Sequence, residues 1–184
     1  HVSQHSFPTR RSSDLGTGSG AIALALASEF PAAAVTATDA SATALDRARD
    51  NARALGLDGR VRFRSGRWFE AVGEAARFEV VVSNPPYIAE DEWAELPDDV
   101  RDFEPREALL AGGRGLDDLR VIVETAPGHL SPGGTLALEL AETRAFEVAA
   151  WLDGRAPWAG VEVRHDLTGR PRYLLASSTP SGVR

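Results

Sequence analysis

The stretch DLGTGSGAIALALASE, Asp14 to Glu29, decides the fold. Three glycines at alternate positions, Gly16, Gly18 and Gly20, stand directly before a run of Ala and Leu. Ala and Leu are strong helix formers, so the run predicts a helix from Ala21 to Glu29. Glycine permits a tight turn and lets a ligand approach the main chain. The stretch therefore reads as the end of a strand, a glycine turn and a helix. Alone this is a weak sign, because alternating glycines also occur in ordinary turns. Asp39 strengthens it. It lies nineteen residues after Gly20, at the end of a second strand, Val35 to Thr38. A carboxylate there can accept two hydrogen bonds from a ribose diol; its plainer role would be a cap beside Ser41. Together the two features point to a nucleoside cofactor. A nicotinamide dinucleotide is disfavoured, since its fingerprint would put the third glycine where Ala21 stands.

Outward from this unit, strands and helices alternate. Ser41 caps a helix through Leu55, and Gly56 stops it. Val61–Arg64 and Phe78–Ser83 are strands, and the run Val80-Val81-Val82 predicts burial on both faces. Leu116–Ala126 reads as a helix, Ser131–Gly134 as a turn, Thr135–Glu139 as a strand and Thr143–Leu152 as a helix. Val161–Arg164 and Tyr173–Ser177 close the chain. Only eight residues separate these last two strands, too few for a crossover helix, so they predict an antiparallel hairpin. Alternation of this kind predicts an α/β fold: a mostly parallel seven-stranded sheet, helices on both faces and an antiparallel last strand. The Pro-rich stretch from Tyr87 to Gly115 is long for a loop, which favours a functional lid or binding loop.

Composition narrows the function. The 184 residues fit one domain, and 43% hydrophobic content supports an ordinary core. A net charge of -7 argues against a broad nucleic-acid surface. Without cysteine there is no disulfide, thiolate or zinc-thiolate chemistry, and four scattered histidines do not suggest a metal site. No apolar run is long enough to span a membrane, and no signal-peptide pattern is present, so a cytoplasmic protein is expected. The chain starts at His1, and Phe7–Leu15 resembles translated sequencing-adapter sequence. We therefore expect residues 1–13 to be a tail outside the domain, 14–178 to be the domain and 179–184 a second tail. With Arg11-Ser12-Ser13 before Asp14, the first strand is expected to be incomplete and the fold weakened there.

The Phe78–Ser83 strand ends in Asn84-Pro85-Pro86-Tyr87. This resembles the catalytic motif of amino methyltransferases that use S-adenosyl-L-methionine and alkylate planar nitrogens. Such nitrogens are poor nucleophiles with N–H groups that need acceptors. The Asn84 side-chain oxygen and the Pro85 carbonyl can each take one, and the prolines stiffen the backbone. Tyr87 offers a flat face to a planar substrate. From Asp14 to about Ala176 the chain resembles the release factor glutamine methyltransferase family, Rossmann-like class I enzymes. Val100–Leu109, with Glu104 and Pro105, resembles the segment that shapes that family's glutamine pocket, and Gly112, Gly113, Gly115 and Leu116 continue it. Asp166–Arg172 keeps the family-like D-x-x-G-x-x-R pattern. Ser65–Phe69 matches the adenine-side segment, except that Arg67 occupies the usual Asp position. Ala141 and Arg144 stand where Gly and Gln are usual. The resemblance also implies a small helical domain before the catalytic domain, which we expect to be missing ahead of Asp14 here.

The resemblance implies S-adenosyl-L-methionine as cofactor, held by Asp14, Gly16, Gly18, Gly20, Asp39, Gly66, Arg67, Trp68 and Asn84. Core packing is the plainer role for Trp68. Asn84, Pro85 and Tyr87 carry the catalytic expectation, and Asn84, Pro85, Pro86, Tyr87, Glu104 and Pro105 the substrate one. The implied substrate is the glutamine of the Gly-Gly-Gln motif in peptide chain release factors, methylated at N5. A monomer, no direct nucleic-acid partner and no metal are expected. Ribosomal-protein glutamine and nucleic-acid adenine N6 are the alternative targets, and a cofactor-binding module without catalysis is a third reading.

Overall fold

The computed structural model describes residues 10–89, 93, 101, 106, 110 and 115–180. Seven strands form one sheet, in the order β3-β2-β1-β4-β5-β7-β6. They are β1 Arg11–Leu15, β2 Ala34–Asp39, β3 Val61–Ser65, β4 Phe78–Ser83, β5 Leu130–Glu139, β6 Trp158–His165 and β7 Pro171–Ser178. The first five pair in parallel, and β7 runs antiparallel to both β5 and β6. Among the described residues, four α-helices are defined over their length: α1 Ala21–Glu29, α2 Ala42–Ala54, α3 Asp117–Thr125 and α4 Ala145–Leu152. A short 3-10 turn, Ala126–Gly128, follows α3 where a continuous helix to Ala126 was expected.

The helices form for different reasons. α1 is apolar almost all round and buries Ala23, Leu24 and Ala27. α2 is amphipathic: Leu45, Ala48 and Ala52, three and four residues apart, face the core. The Ser41 hydroxyl accepts the Ala44 amide at 3.2 Å, and Gly56 ends the helix at φ +68°. One apolar cluster joins α1, α2, β2 and β3, and a larger one joins α3, α4, β4, β5 and β7.

Three expectations change. β1 is a five-residue strand paired on both sides, so Arg11, Ser12 and Ser13 belong to the sheet and not to a tail. Ladder hydrogen bonds come from the main chain and do not require apolar side chains; the cost falls instead on the buried Ser13 hydroxyl, which has no partner among the described residues. Ser131–Gly134 is part of β5 and not a separate turn. Leu130 pairs with Phe78 and Thr135 with Val80, so the extra residues bulge out between these pairs. Gly134 allows this because a Cβ there would lie 2.8 Å from the Ser131 carbonyl oxygen. β4 buries Phe78, Val81 and Ser83, while Val80 and Val82 stay partly accessible. The hairpin closes as expected: Asp166 accepts the Thr168 amide at 2.8 Å and the Arg170 amide at 3.0 Å. The Thr168 hydroxyl, with these amide bonds behind it, holds the Asp166 carboxyl down to about 2. Thr179 continues the fold one residue past the expected boundary, donating its amide to the Pro157 carbonyl at 2.7 Å.

The topology creates one special place. From β1 the chain builds outward to β2 and β3 on one side, then crosses back to β4 on the other. The strand order reverses between β1 and β4, and ligands of open α/β sheets bind outside the carboxyl ends of strands at such a point.

Candidate active site at the switch point

Four sequence-predicted segments leave the carboxyl ends of four adjacent strands. Gly16–Gly20 follows β1, Asp39 ends β2, Gly66–Trp68 follows β3 and Asn84–Tyr87 follows β4. The register aligns them: Leu15 pairs with Ser83 and with Thr38, and Asp39 pairs with Ser65. The Ser83 hydroxyl donates to the Leu15 carbonyl at 2.7 Å, tying the exits of β1 and β4 together.

Asp14 holds the glycine turn from beneath. One of its oxygens, Oδ2, accepts the Thr17 hydroxyl at 2.6 Å and the Ala23 amide at 3.0 Å, so it joins the turn to α1. The other oxygen is buried without a partner among the described residues. Burial pushes the Asp14 carboxyl up to about 6, against the two hydrogen bonds, and the nearby Asp39 charge adds to the rise. At 1% exposure Asp14 sits beneath the turn and shapes the cradle.

The turn is open where a ligand would need it. A Cβ on Gly18 would meet nothing within 4 Å, while one on Gly16 would come within 2.9 Å of the Trp68 ring. Gly16 also needs φ +67°. Asp39 is half-buried and accepts the Gly18 amide through Oδ2 and the Ser41 amide through Oδ1, both at 2.8 Å. Each carboxylate oxygen keeps one further acceptor site, enough for the two hydroxyls of a ribose. Its plainer role as a local cap is thus present as well, and the two do not compete. Gly66 donates its amide to the Asp39 carbonyl at 3.0 Å.

Trp68 is buried, as its packing role required, and it also borders the turn through Gly16. The Arg67 guanidinium pairs with Asp118 of α3. On the β4 side Asn84 is exposed, Pro85 buried, and Pro86 and Tyr87 half-buried. Among the described residues no partner holds the Asn84 side-chain amide. Ile88 bridges Leu110 in the parallel sense. Glu104 and Pro105 lie outside the described residues.

Sequence reasoning missed Thr17, Thr38, Ser83 and Asp118. Thr17 sits inside the quoted turn and a search for hydroxyls near Asp14 would have found it. Asp118 lies fifty-one residues from Arg67, and no local pattern links them.

An open cradle, a carboxylate with spare acceptor sites and two negative charges suit a nucleoside that carries positive charge. Comparison with known proteins agrees. A family model, methyltransferase small domain, matches residues 1–97. A release factor glutamine methyltransferase of Cereibacter sphaeroides is 48% identical over 163 residues, 89% of this chain and 58% of the relative. One from Xylella fastidiosa is 51% identical over 167 residues, 90% of this chain and 59% of the relative. The chain thus spans about three-fifths of the length of these curated relatives. A methyltransferase structure from Pyrococcus furiosus superposes with a TM-score of 0.66 at 22% identity, over 94% of this chain and 76% of that one, and speaks for the fold alone. The chain belongs to the methyltransferase small domain family, with the Rossmann-like class I methyltransferase fold and S-adenosyl-L-methionine as cofactor.

Proposed function

We propose that this chain methylates the side-chain amide N5 of the glutamine in the Gly-Gly-Gln motif of peptide chain release factors. The observation that carries the reading is the pairing of Leu15 with Ser83, which sets Gly16 and Asn84 side by side at the switch point. When bound, S-adenosyl-L-methionine supplies a methyl group on a positively charged sulfur. Gly16, Gly18 and Gly20 provide the cradle for it, Asp14 fixes their shape, and Asp39 takes the ribose hydroxyls. Gly66 and Trp68 stand on the adenine side.

The remaining work is orientation. The Asn84 side-chain oxygen and the Pro85 carbonyl accept the two N–H groups of the target amide. Two fixed acceptors turn the nitrogen lone pair toward the glycine turn and favour the positive charge that develops on nitrogen. Tyr87 lies against the flat amide. The methylated nitrogen sheds its extra proton to water, so the site needs no base of its own. A substrate that acts in translation puts the protein in the cytoplasm, and we expect a monomer. Among the described residues no helix is long and apolar enough to cross a membrane.

The test is a substrate panel. The chain is incubated with methyl-labelled S-adenosyl-L-methionine and, separately, a release factor, a ribosomal protein substrate and duplex DNA. Label in the release factor is the expected result. Label only in ribosomal protein or DNA would move the assignment to that substrate. Cofactor binding without transfer to any of them would make the chain a binding module.

A further inference from the structure

We propose that Asp118 is a positioning residue for the cofactor site: it fixes Trp68 against the glycine turn, and Arg67 serves as its counter-charge and not as a cofactor contact. The inference rests on reading the Gly16–Gly20 turn as the cofactor cradle.

Asp118 stands in the first turn of α3 and is only 4% exposed. A single oxygen, Oδ1, receives both the Arg67 guanidinium and the Trp68 indole N–H, the latter at 3.2 Å. A carboxylate so buried needs compensation, and Arg67 provides it from the surface, with its side chain 59% exposed. This accounts for arginine in the adenine-side segment: the carboxylate in that neighbourhood comes from α3.

Trp68 needs such an anchor. It is the one non-glycine residue among those described with a positive φ, at +47°. A tryptophan in the left-handed region is strained and persists where its surroundings fix it. Here it is fixed at both ends. Its carbonyl accepts the buried Thr38 hydroxyl at 3.1 Å, and its indole donates to Asp118. Between them the ring lies on Gly16, so close that a Cβ there would sit 2.9 Å from Cζ3. The ring is thus a wall of the turn, and its tilt depends on Asp118. α3 also begins just after Gly115, which packs on the Tyr87 carbonyl. The segment that leads into α3 thus meets the Tyr87 side of the site, and Asp118 in its first turn meets the Trp68 side.

The test measures S-adenosylhomocysteine affinity by titration calorimetry and folding by circular dichroism, on the full chain. Asp118→Ala and Trp68→Phe each remove the same hydrogen bond and should weaken binding about tenfold. The double variant should be no weaker than the worse single within about twofold, because the bond can be lost only once. Asp118→Asn keeps an acceptor oxygen and should stay within about threefold. In that background Arg67→Ala should change affinity less than about twofold. Unchanged affinity in folded Asp118→Ala, or additive losses in the double variant, would overturn the proposal. Should Asp118→Ala not fold, unchanged affinity in Trp68→Phe would overturn it equally. No binding by the unmodified chain would refute the cofactor reading itself, and this inference with it.

Discussion

Replacing Asp14 by asparagine should remove a pH dependence from the stability of the fold. Burial lifts the Asp14 carboxyl from 3.8 to about 6, so the folded chain holds this proton more tightly than the unfolded chain does. The sign follows from linkage: where the native state binds more protons, stability falls as pH rises. The favourable contribution is complete below 3.8, declines through the interval and is gone once the pH is well above 6. At about 1.4 kcal/mol per pH unit, the whole effect is about 3 kcal/mol. Roughly half of it, about 1.4 kcal/mol, is lost between pH 5 and pH 7.5. In Asp14→Asn the side-chain amide oxygen can still accept the Thr17 hydroxyl and the Ala23 amide, so the turn keeps its shape. Urea unfolding followed by circular dichroism at the two pH values measures the effect. Relative to wild type, Asp14→Asn should gain about 1.4 kcal/mol on going from pH 5 to pH 7.5. A pH-independent difference, or a relative loss at the higher pH, would refute the argument from burial.

Asn84→Ala should lower turnover about 100-fold or more while stability stays within about 0.5 kcal/mol and cofactor affinity changes little, because the side chain is exposed and bonds to no partner among the described residues. Equal losses of turnover and cofactor affinity would argue against a substrate-orienting role. Gly115→Ala would drive a Cβ into the Tyr87 carbonyl oxygen at φ +69°; steady-state kinetics should show kcat down at least about tenfold, with cofactor affinity held within about threefold. Ser13→Ala removes a fully buried hydroxyl that has no partner among the described residues and should stabilise the chain by about 1 kcal/mol, a rise of about 2–4 °C in Tm by thermal unfolding. A lower Tm would mean that the hydroxyl is satisfied after all.

Much of the fold was legible because its signals are local. The Ala/Leu run after Gly20, the spaced apolar residues of α2 and the eight-residue gap before the last strand each state their structure within a short window. β1 was harder. Its pairing comes from main-chain bonds to β2 and β4, and those leave no trace in the side chains of Arg11, Ser12 and Ser13. The irregular β5 was read as a turn because Pro132, Gly133 and Gly134 carry turn chemistry, while the pairing that absorbs them depends on Phe78 and Val80 more than fifty residues earlier. The site divides the same way. Gly16, Asp39, Trp68 and Asn84 were found one motif at a time, and the sheet brings their segments to one edge. Asp118 was invisible because its meaning exists only across the gap to Arg67 and Trp68. Asp14 was expected to shape and line the cofactor end, and its bonds to Thr17 and Ala23 from beneath the turn carry the shaping part.

The central claim is that the Asn84–Tyr87 segment presents an amide nitrogen to a methyl donor held by the glycine turn. Tandem mass spectrometry of a release factor, after incubation with this chain and S-adenosyl-L-methionine, tests it most directly. The account predicts a single added methyl group on the side-chain nitrogen of the Gly-Gly-Gln glutamine, absent when Asn84→Ala replaces the wild-type chain. A methyl group on any other residue, or one that persists in the Asn84→Ala reaction at the wild-type level, would contradict it.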